Sequence, residues 1–309
     1  MYMYRTPTGY DIYSDFNKHY PERRRRRKRR PKGLRMGKPA NGGTLTGNIR
    51  VHEHFYSRIL NNNRHIFVYL PPSYTEANNR RYPVLYVNDG QNLFDAETAF
   101  AGVDWGMDET LEFLIHNKLM KEIITVAIYN TPNRTDEYTH IPDPEEGGGK
   151  AEYYAAFLIN ELKPFMDRRY KTSRNSDETG ILGSSFGGLN ALYIGWNYPD
   201  VFSIVGAISP SLWWAEHDII KLIAFSNQPY GPSKIWLDMG TEEDDEEDEE
   251  EIYNNIEQAR ILYNVLLSKG YTPGENLFYF EDEGATHDEW AWGNRIDSVL
   301  MALFPPEED

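Results

Sequence analysis

The stretch "ETGILGSSFGGLNALYIGWNY", residues 178–198, constrains the fold more than any other part of the chain. A short apolar run enters a corner of small residues and leaves as an apolar helical segment. Gly183, Ser185 and Gly187 fit G-x-S-x-G in the strand–turn–helix setting that the pattern needs to be meaningful. Such a corner belongs in a βα unit, and the surrounding sequence repeats that unit. "YPVLYVND", "EIITVAIYN", "FSIVGAIS", "KIWLDMG" and "NLFYFED" read as buried strands. Between them, apolar residues recur at helical spacing in "AEYYAAFLINELKPFMDRRY" and "EIYNNIEQARILYNVLLSKG", and a last helix runs from about Asp288 to Leu303. A polar loop is expected over 131–150. Upstream, "NIRVHEHFYS" and "RHIFVYLPPSY" alternate as antiparallel strands do. The expected fold class is α/β, of the α/β-hydrolase type: a mostly parallel central sheet with an antiparallel N-terminal edge and helices on both faces.

At 309 residues and 40% hydrophobic content the chain can bury one large core, placed at residues 45–309. The preceding residues 1–44 read as a disordered arm, because eleven Lys/Arg and no acid fall within 23–38. The formal net charge is −16 nonetheless, and residues 242–251 are ten consecutive acids in an expected acidic loop. The arm is expected to contact this loop, in cis or in a homo-oligomer. No groove-reading module accompanies the arm, so no specific nucleic-acid partner is expected. No run approaches about 18 apolar residues, which excludes a transmembrane helix. The start lacks the apolar centre of a secretory signal, and the expected location is cytoplasmic. Absence of cysteine rules out disulfides, thiolate metal sites and a cysteine nucleophile.

Ser185 is either a nucleophile on a strained turn or part of a corner whose glycines only permit close packing. The first reading makes demands elsewhere. A serine hydroxyl needs a base, and in this fold type the acid and then the histidine follow it, each after a later strand. Only His217 and His287 lie beyond Ser185. His287 directly follows the last strand, in "EDEGATHDEWAWGNR", whereas His217 falls early in a helix and reads as a surface residue. The acid belongs after "KIWLDMG", where Glu242, Glu243 and Asp244 all qualify and Asp238, inside the strand, reads as structural. The Phe186 N–H, at a helix start, faces a developing oxyanion. A second donor is expected from "DGQNLFD", at Gln91 or Asn92. No metal is expected, since the acid run lacks the interspersed glycine or asparagine of a calcium loop, and no organic cofactor is required.

At these residues the chain resembles the esterase D-like (enterochelin esterase-like) family of α/β-hydrolases, which includes siderophore, feruloyl and acetyl-xylan esterases and mycolyltransferases. The resemblance covers about residues 45–305 through "VYLPPSY", "YPVLYVNDGQNLFD", "GVDWGMDETL", "NRTDEYT", "GSSFGGLNALY", "FSIVGAISPSLWW", "DMGTEED" and "HDEWAWGNR". It implies a serine esterase acting on a small-molecule ester, with Ser185 as nucleophile, His287 as base and Glu243 as acid. It also implies oxyanion donors at the Phe186 and Gln91 amides. Some siderophore esterases of this kind work with a Ser–His pair alone, which leaves Glu243 open to question. Arg134, Glu137 and Tyr138 then lie near the site, with Arg134 holding an anionic substrate or pairing with Glu137. Trp105 and Trp213 line the pocket or belong to the core. The two charge blocks depart from the family pattern, and the competing reading is a non-catalytic scaffold of the same fold that acts through them.

Overall fold

The computed structural model describes residues 45–75, 77, 79–227, 231–243 and 255–307. The basic arm and all but the first two residues of the acidic run lie outside these, so the expected arm–loop contact falls there too.

Eight strands form one sheet: β1 (Asn48–Ser57), β2 (Asn62–Leu70), β3 (Val84–Asn88), β4 (Ile124–Ile128), β5 (Thr179–Ser185), β6 (Ile204–Pro210), β7 (Lys234–Gly240) and β8 (Leu277–Asp282). Their order is β1-β2-β4-β3-β5-β6-β7-β8. β2 runs antiparallel to both β1 and β4, and every other pairing is parallel. All five residues of β3 and of β4 are buried, which is why "VLYVN" and "ITVAI" are mostly apolar rather than alternating. β1 lies at an edge and does alternate, up to a bulge between His52 and Phe55.

Helices cover both faces. α1 (Met107–His116) and the C-terminal helix α8 (Glu289–Leu303) seal one core with Leu85, Val87, Leu182, Ile208 and Trp236 of the sheet. On the other face lie α3 (Ala151–Phe157), α4 (Lys163–Arg169), α5 (Phe186–Asn197), α6 (Trp214–Phe225) and α7 (Asn255–Ser268), packed on Val68, Tyr86, Val126, Ile181 and Leu237. None of the described helices is long and apolar enough to cross a membrane.

Two details differ from expectation. The polar loop over 131–150 contains a short helix, α2 (Arg134–Tyr138), and a two-residue strand pair, Pro142–Asp143 with Gly147–Gly148. The expected continuous helix from 151 to 170 passes through a π turn, Leu158–Leu162, just before Pro164, a residue with no N–H for the regular ladder. That turn carries Glu161, which accepts hydrogen bonds from Ser57 Oγ at 2.6 Å and the Arg58 N–H at 3.0 Å, closing the β1–β2 hairpin.

After β3 the chain continues to its neighbour on one side, β4, and later to its neighbour on the other, β5. A crevice opens at the C-terminal ends of strands where the order reverses in this way. The corner after β3 and the corner after β5 both lie there.

Candidate active site

The elbow is shaped by its glycines. Ser185 ends β5 and stands just before α5, as its N-cap, at φ 55°, ψ −127°, a conformation costly for a residue with a side chain. A Cβ at Gly183 would stand 2.5 Å from the backbone of Gly187, so the strand and helix close up only because no side chain intervenes. The Ser185 hydroxyl lies 3.3 Å from that of Ser211, longer than an ordinary hydroxyl pair, and no hydrogen bond joins it to His287 among the described residues. As the first residue of α5, Phe186 has an N–H with no acceptor in its own helix.

The corner after β3 is a single 3₁₀ turn, Gly90–Asn92, entered from Asp89 in a left-handed conformation at φ 55°. It rests directly on β4: a Cβ at Gly90 would meet the Ala127 and Ile128 backbone at 2.5 Å. The bonds that close the turn come from the Asn92 and Leu93 N–H groups, so the Gln91 N–H is not used in closing it. The Gln91 side chain accepts from the Asn130 N–H at 3.2 Å, and Asn92 donates to Glu289 at 3.3 Å. Burial holds the Glu289 carboxyl above the usual range, with the neighbouring Asp288 and Asp89 charges adding to the effect.

On the opposite flank, Glu243 brings Oε2 to 2.9 Å from His287 Nδ1. Its other oxygen accepts from Ser209 Oγ at 2.5 Å and from the Gly240 N–H at 2.6 Å, with Arg295 at 3.5 Å. The Glu243 side chain is sealed from solvent and that of His287 is 37% exposed. Trp292 meets the imidazole edge to face at 4.9 Å. Of the three acids left open by the sequence, Glu242 is exposed, and Asp244 lies outside the described residues.

Behind Glu243, Asp238 is fully buried and accepts from Arg295 at 2.9 Å, the Ser209 N–H at 3.0 Å and Trp236 Nε1 at 2.6 Å. Burial raises its carboxyl above the ordinary range while Arg295 pulls the other way. Ser209 uses its full hydroxyl capacity, donating to Glu243 and accepting from Trp292 Nε1 at 3.1 Å and Arg295 at 2.5 Å. Ser209 and Arg295 were not anticipated. The signal for Arg295 was a cation on the same helical face as Trp292 and Val299, which marks a buried ion pair.

Two expectations are corrected. Trp105 is 0% exposed, packs against Trp292 at 6.1 Å, and belongs to the core behind the histidine rather than to a pocket wall. Arg134 does not pair with Glu137. It grips Asp89 through Nε at 2.9 Å and a terminal nitrogen at 2.8 Å, while Glu137 is held at 2.9 Å by the buried Arg64. Trp213 is 38% exposed and stands 5.7 Å from the Phe186 ring, and His217 sits in an irregular first turn of α6 at φ 62°.

A serine on a strained elbow, with a carboxylate–histidine pair after the last two strands of this sheet, defines the α/β-hydrolase class. The family model "Putative esterase" matches residues 57–303. The chain belongs to this esterase family and is a carboxylic ester hydrolase. Among its relatives, the uncharacterized protein YbbA of Bacillus subtilis is 27% identical over 248 residues, 78% of this chain and 93% of that protein. Iron(III) enterobactin esterase of Escherichia coli K12 is 42% identical over 155 residues, 48% of this chain, which spans only 34% of that enzyme. The BES protein of Bacillus cereus superposes with a TM-score of 0.63 at 20% identity, over 84% of this chain and 96% of that one. The enterobactin esterase FES of Shigella flexneri, solved in the presence of enterobactin, gives 0.65 at 21%, over 84% of this chain and 60% of that one.

Proposed function

We propose that this esterase works through an acyl-enzyme on Ser185, with His287 as base, Glu243 as its orienting acid, and the amides of Phe186 and Gln91 as the oxyanion hole. The observation that carries the reading is the 2.9 Å contact between a solvent-sealed carboxylate and His287 Nδ1, after the C-terminal ends of strands in the same sheet whose strand β5 ends at the strained serine. Held in this way, the imidazole keeps its proton on Nδ1 and presents a free lone pair on Nε2.

The Ser185 hydroxyl turns about its Cα–Cβ bond toward Nε2 and attacks the ester carbonyl as its proton passes to His287. The tetrahedral oxyanion forms beside two N–H groups fixed in advance by their turns, so little reorganisation is needed as the charge appears. Collapse expels the alcohol with the proton from His287. A water molecule, deprotonated by the same nitrogen, then releases the acid. No step requires a metal or organic cofactor.

The substrate class we favour is an ester with an aromatic acyl group, of the siderophore or feruloyl kind. Phe186 and Trp213 stand together beside the nucleophile and offer ring faces to such a group. Relatives named for ferri-bacillibactin and for feruloyl esters support the same class. A fluorophosphonate probe should label the wild-type protein and not Ser185→Ala, and Ser185→Ala should lose at least about 10⁴-fold in kcat. Folded wild-type protein that takes no label would leave the scaffold reading in its place. A panel of p-nitrophenyl esters, a feruloyl ester and a catecholate trilactone identifies the substrate, and preference for acetyl over every aromatic ester would overturn the aromatic-acyl assignment.

A further inference from the structure

The Asp89–Arg134 pair has no role in the chemistry above, yet it joins both halves of the oxyanion hole. Asp89 is 2% exposed and leads into the Gln91 turn. Its carboxylate receives both Arg134 bonds and a third from Asn130 Nδ2 at 2.6 Å, and its N–H donates to Tyr138 Oη at 3.1 Å. A Cβ at Gly187 would stand 3.1 Å from Asp89 Oδ2, so the carboxylate lies directly against the elbow. The Arg134 guanidinium meanwhile covers the Phe186 ring at 5.5 Å and the Tyr138 ring at 5.3 Å. Asn130 completes the link, since its N–H also holds the Gln91 side chain.

We infer that Arg134 is a positioning residue of the oxyanion hole. Resting on the esterase reading, it ties the turn that carries the Gln91 N–H to the elbow that carries the Phe186 N–H, and so sets the separation of the two donors. The alternative role, a receptor for an anionic substrate, is disfavoured by the geometry. Nε and one terminal nitrogen are already committed to a carboxylate that neutralises the charge, and a bidentate pair of this kind is among the strongest a guanidinium forms. The planar fork also explains why arginine stands here. Lysine brings the charge but only a point contact, without the edge that spans Asp89 or the face that covers Phe186.

The test compares the full-length wild type with Arg134→Met, Arg134→Lys and Asp89→Asn on neutral p-nitrophenyl acetate and anionic p-nitrophenyl hemisuccinate. The expected result for Arg134→Met is a fall in kcat of about 10–100-fold on both esters, with KM changed less than about threefold, as for a weakened oxyanion donor. A boronate transition-state analogue should lose affinity in parallel. Arg134→Lys should recover only part of kcat, and Asp89→Asn combined with Arg134→Met should be little worse than either alone. A KM that rises tenfold or more for the anionic ester alone would make Arg134 a substrate receptor and overturn the inference. Unchanged kcat in Arg134→Met, or full activity in Arg134→Lys with a fully additive double variant, would overturn it as well. Should Arg134→Met fail to fold, Arg134→Lys and Asp89→Asn carry the same comparison. A wild type that neither takes the fluorophosphonate label nor cleaves either ester would sink the esterase mechanism, whereas an active wild type with indifferent variants sinks the inference alone.

Discussion

An arginine–carboxylate cluster flanks Ser185 on each side, and the two differ in burial and in what they hold. On the acid–base side Arg295 is 4% exposed, enclosed with Asp238 and Glu243, and touches neither Ser185 nor the mouth of the site. On the side of the proposed oxyanion hole the Arg134 side chain is 30% exposed and its carboxylate partner 3%. The first arrangement places one cation against two sealed carboxylates, with His287 facing the outer one. Its work is to hold both carboxylates in place, and at Asp238 its charge opposes the burial that raises that carboxyl. The second balances one partly exposed cation against one buried carboxylate, and its work is to hold a turn. Burial therefore decides whether removing the arginine is felt mainly in folding or mainly in turnover.

The largest effect outside Ser185 itself should come from Glu243→Gln. An amide leaves the imidazole without the charge that holds its tautomer, and kcat should fall by about 10³-fold or more with little change in thermal stability. Activity within tenfold of wild type would show that a Ser–His pair suffices here. Arg295→Met should reverse the emphasis. Leaving Asp238 and Glu243 buried without their cation should cost about 3–5 kcal/mol of stability, seen as a lower denaturant midpoint. Asn130→Ala, on the oxyanion side, removes one of three bonds to Asp89 and should lower kcat only several-fold, with a stability change of about 1 kcal/mol.

A last test applies the same principle where no arginine is present. Asp108, at the start of α1, is fully buried, accepts the Thr46 N–H at 2.6 Å through one oxygen, and has the Glu109 side chain beside it. Burial, with the neighbouring Glu109 carboxylate, pushes it up to about 9 from an ordinary 3.8. A carboxyl raised on folding is protonated in the native chain and ionised in the unfolded one between those values. The native state thus binds the extra proton, and stability falls as pH rises across that window. Asp108→Asn keeps the acceptor for Thr46 and removes this cost. It should gain about 1–3 kcal/mol near pH 8, and the gain should shrink toward pH 4. A gain independent of pH would show that Asp108 is ionised in the folded protein.

Much of this molecule was legible beforehand for a specific reason. "VLYVN" and "ITVAI" announce strands buried on both faces because their apolar residues fall on successive positions rather than on alternate ones. Gly183 is needed because a Cβ there would collide with Gly187, a constraint local enough to show in five residues. The cluster around Ser209 was not legible, because its members come from β6, β7, the loop after β7 and α8. No spacing connects them. The same holds for Arg134. Its sequence neighbour Glu137 is three positions away, yet its partner is Asp89, forty-five positions upstream.

By itself, the sequence determined the alternation of strands and helices and the elbow, and it placed several candidate acids and then His287 after Ser185. These depend on periodicity and on local sterics, and both are written in consecutive residues. Only the tertiary structure decided which of several adjacent acids faces His287, that Trp105 is core, and which carboxylate each arginine holds. Those outcomes depend on where strand ends lie relative to one another, and that distance is fixed by the packing of the sheet between its two helical layers.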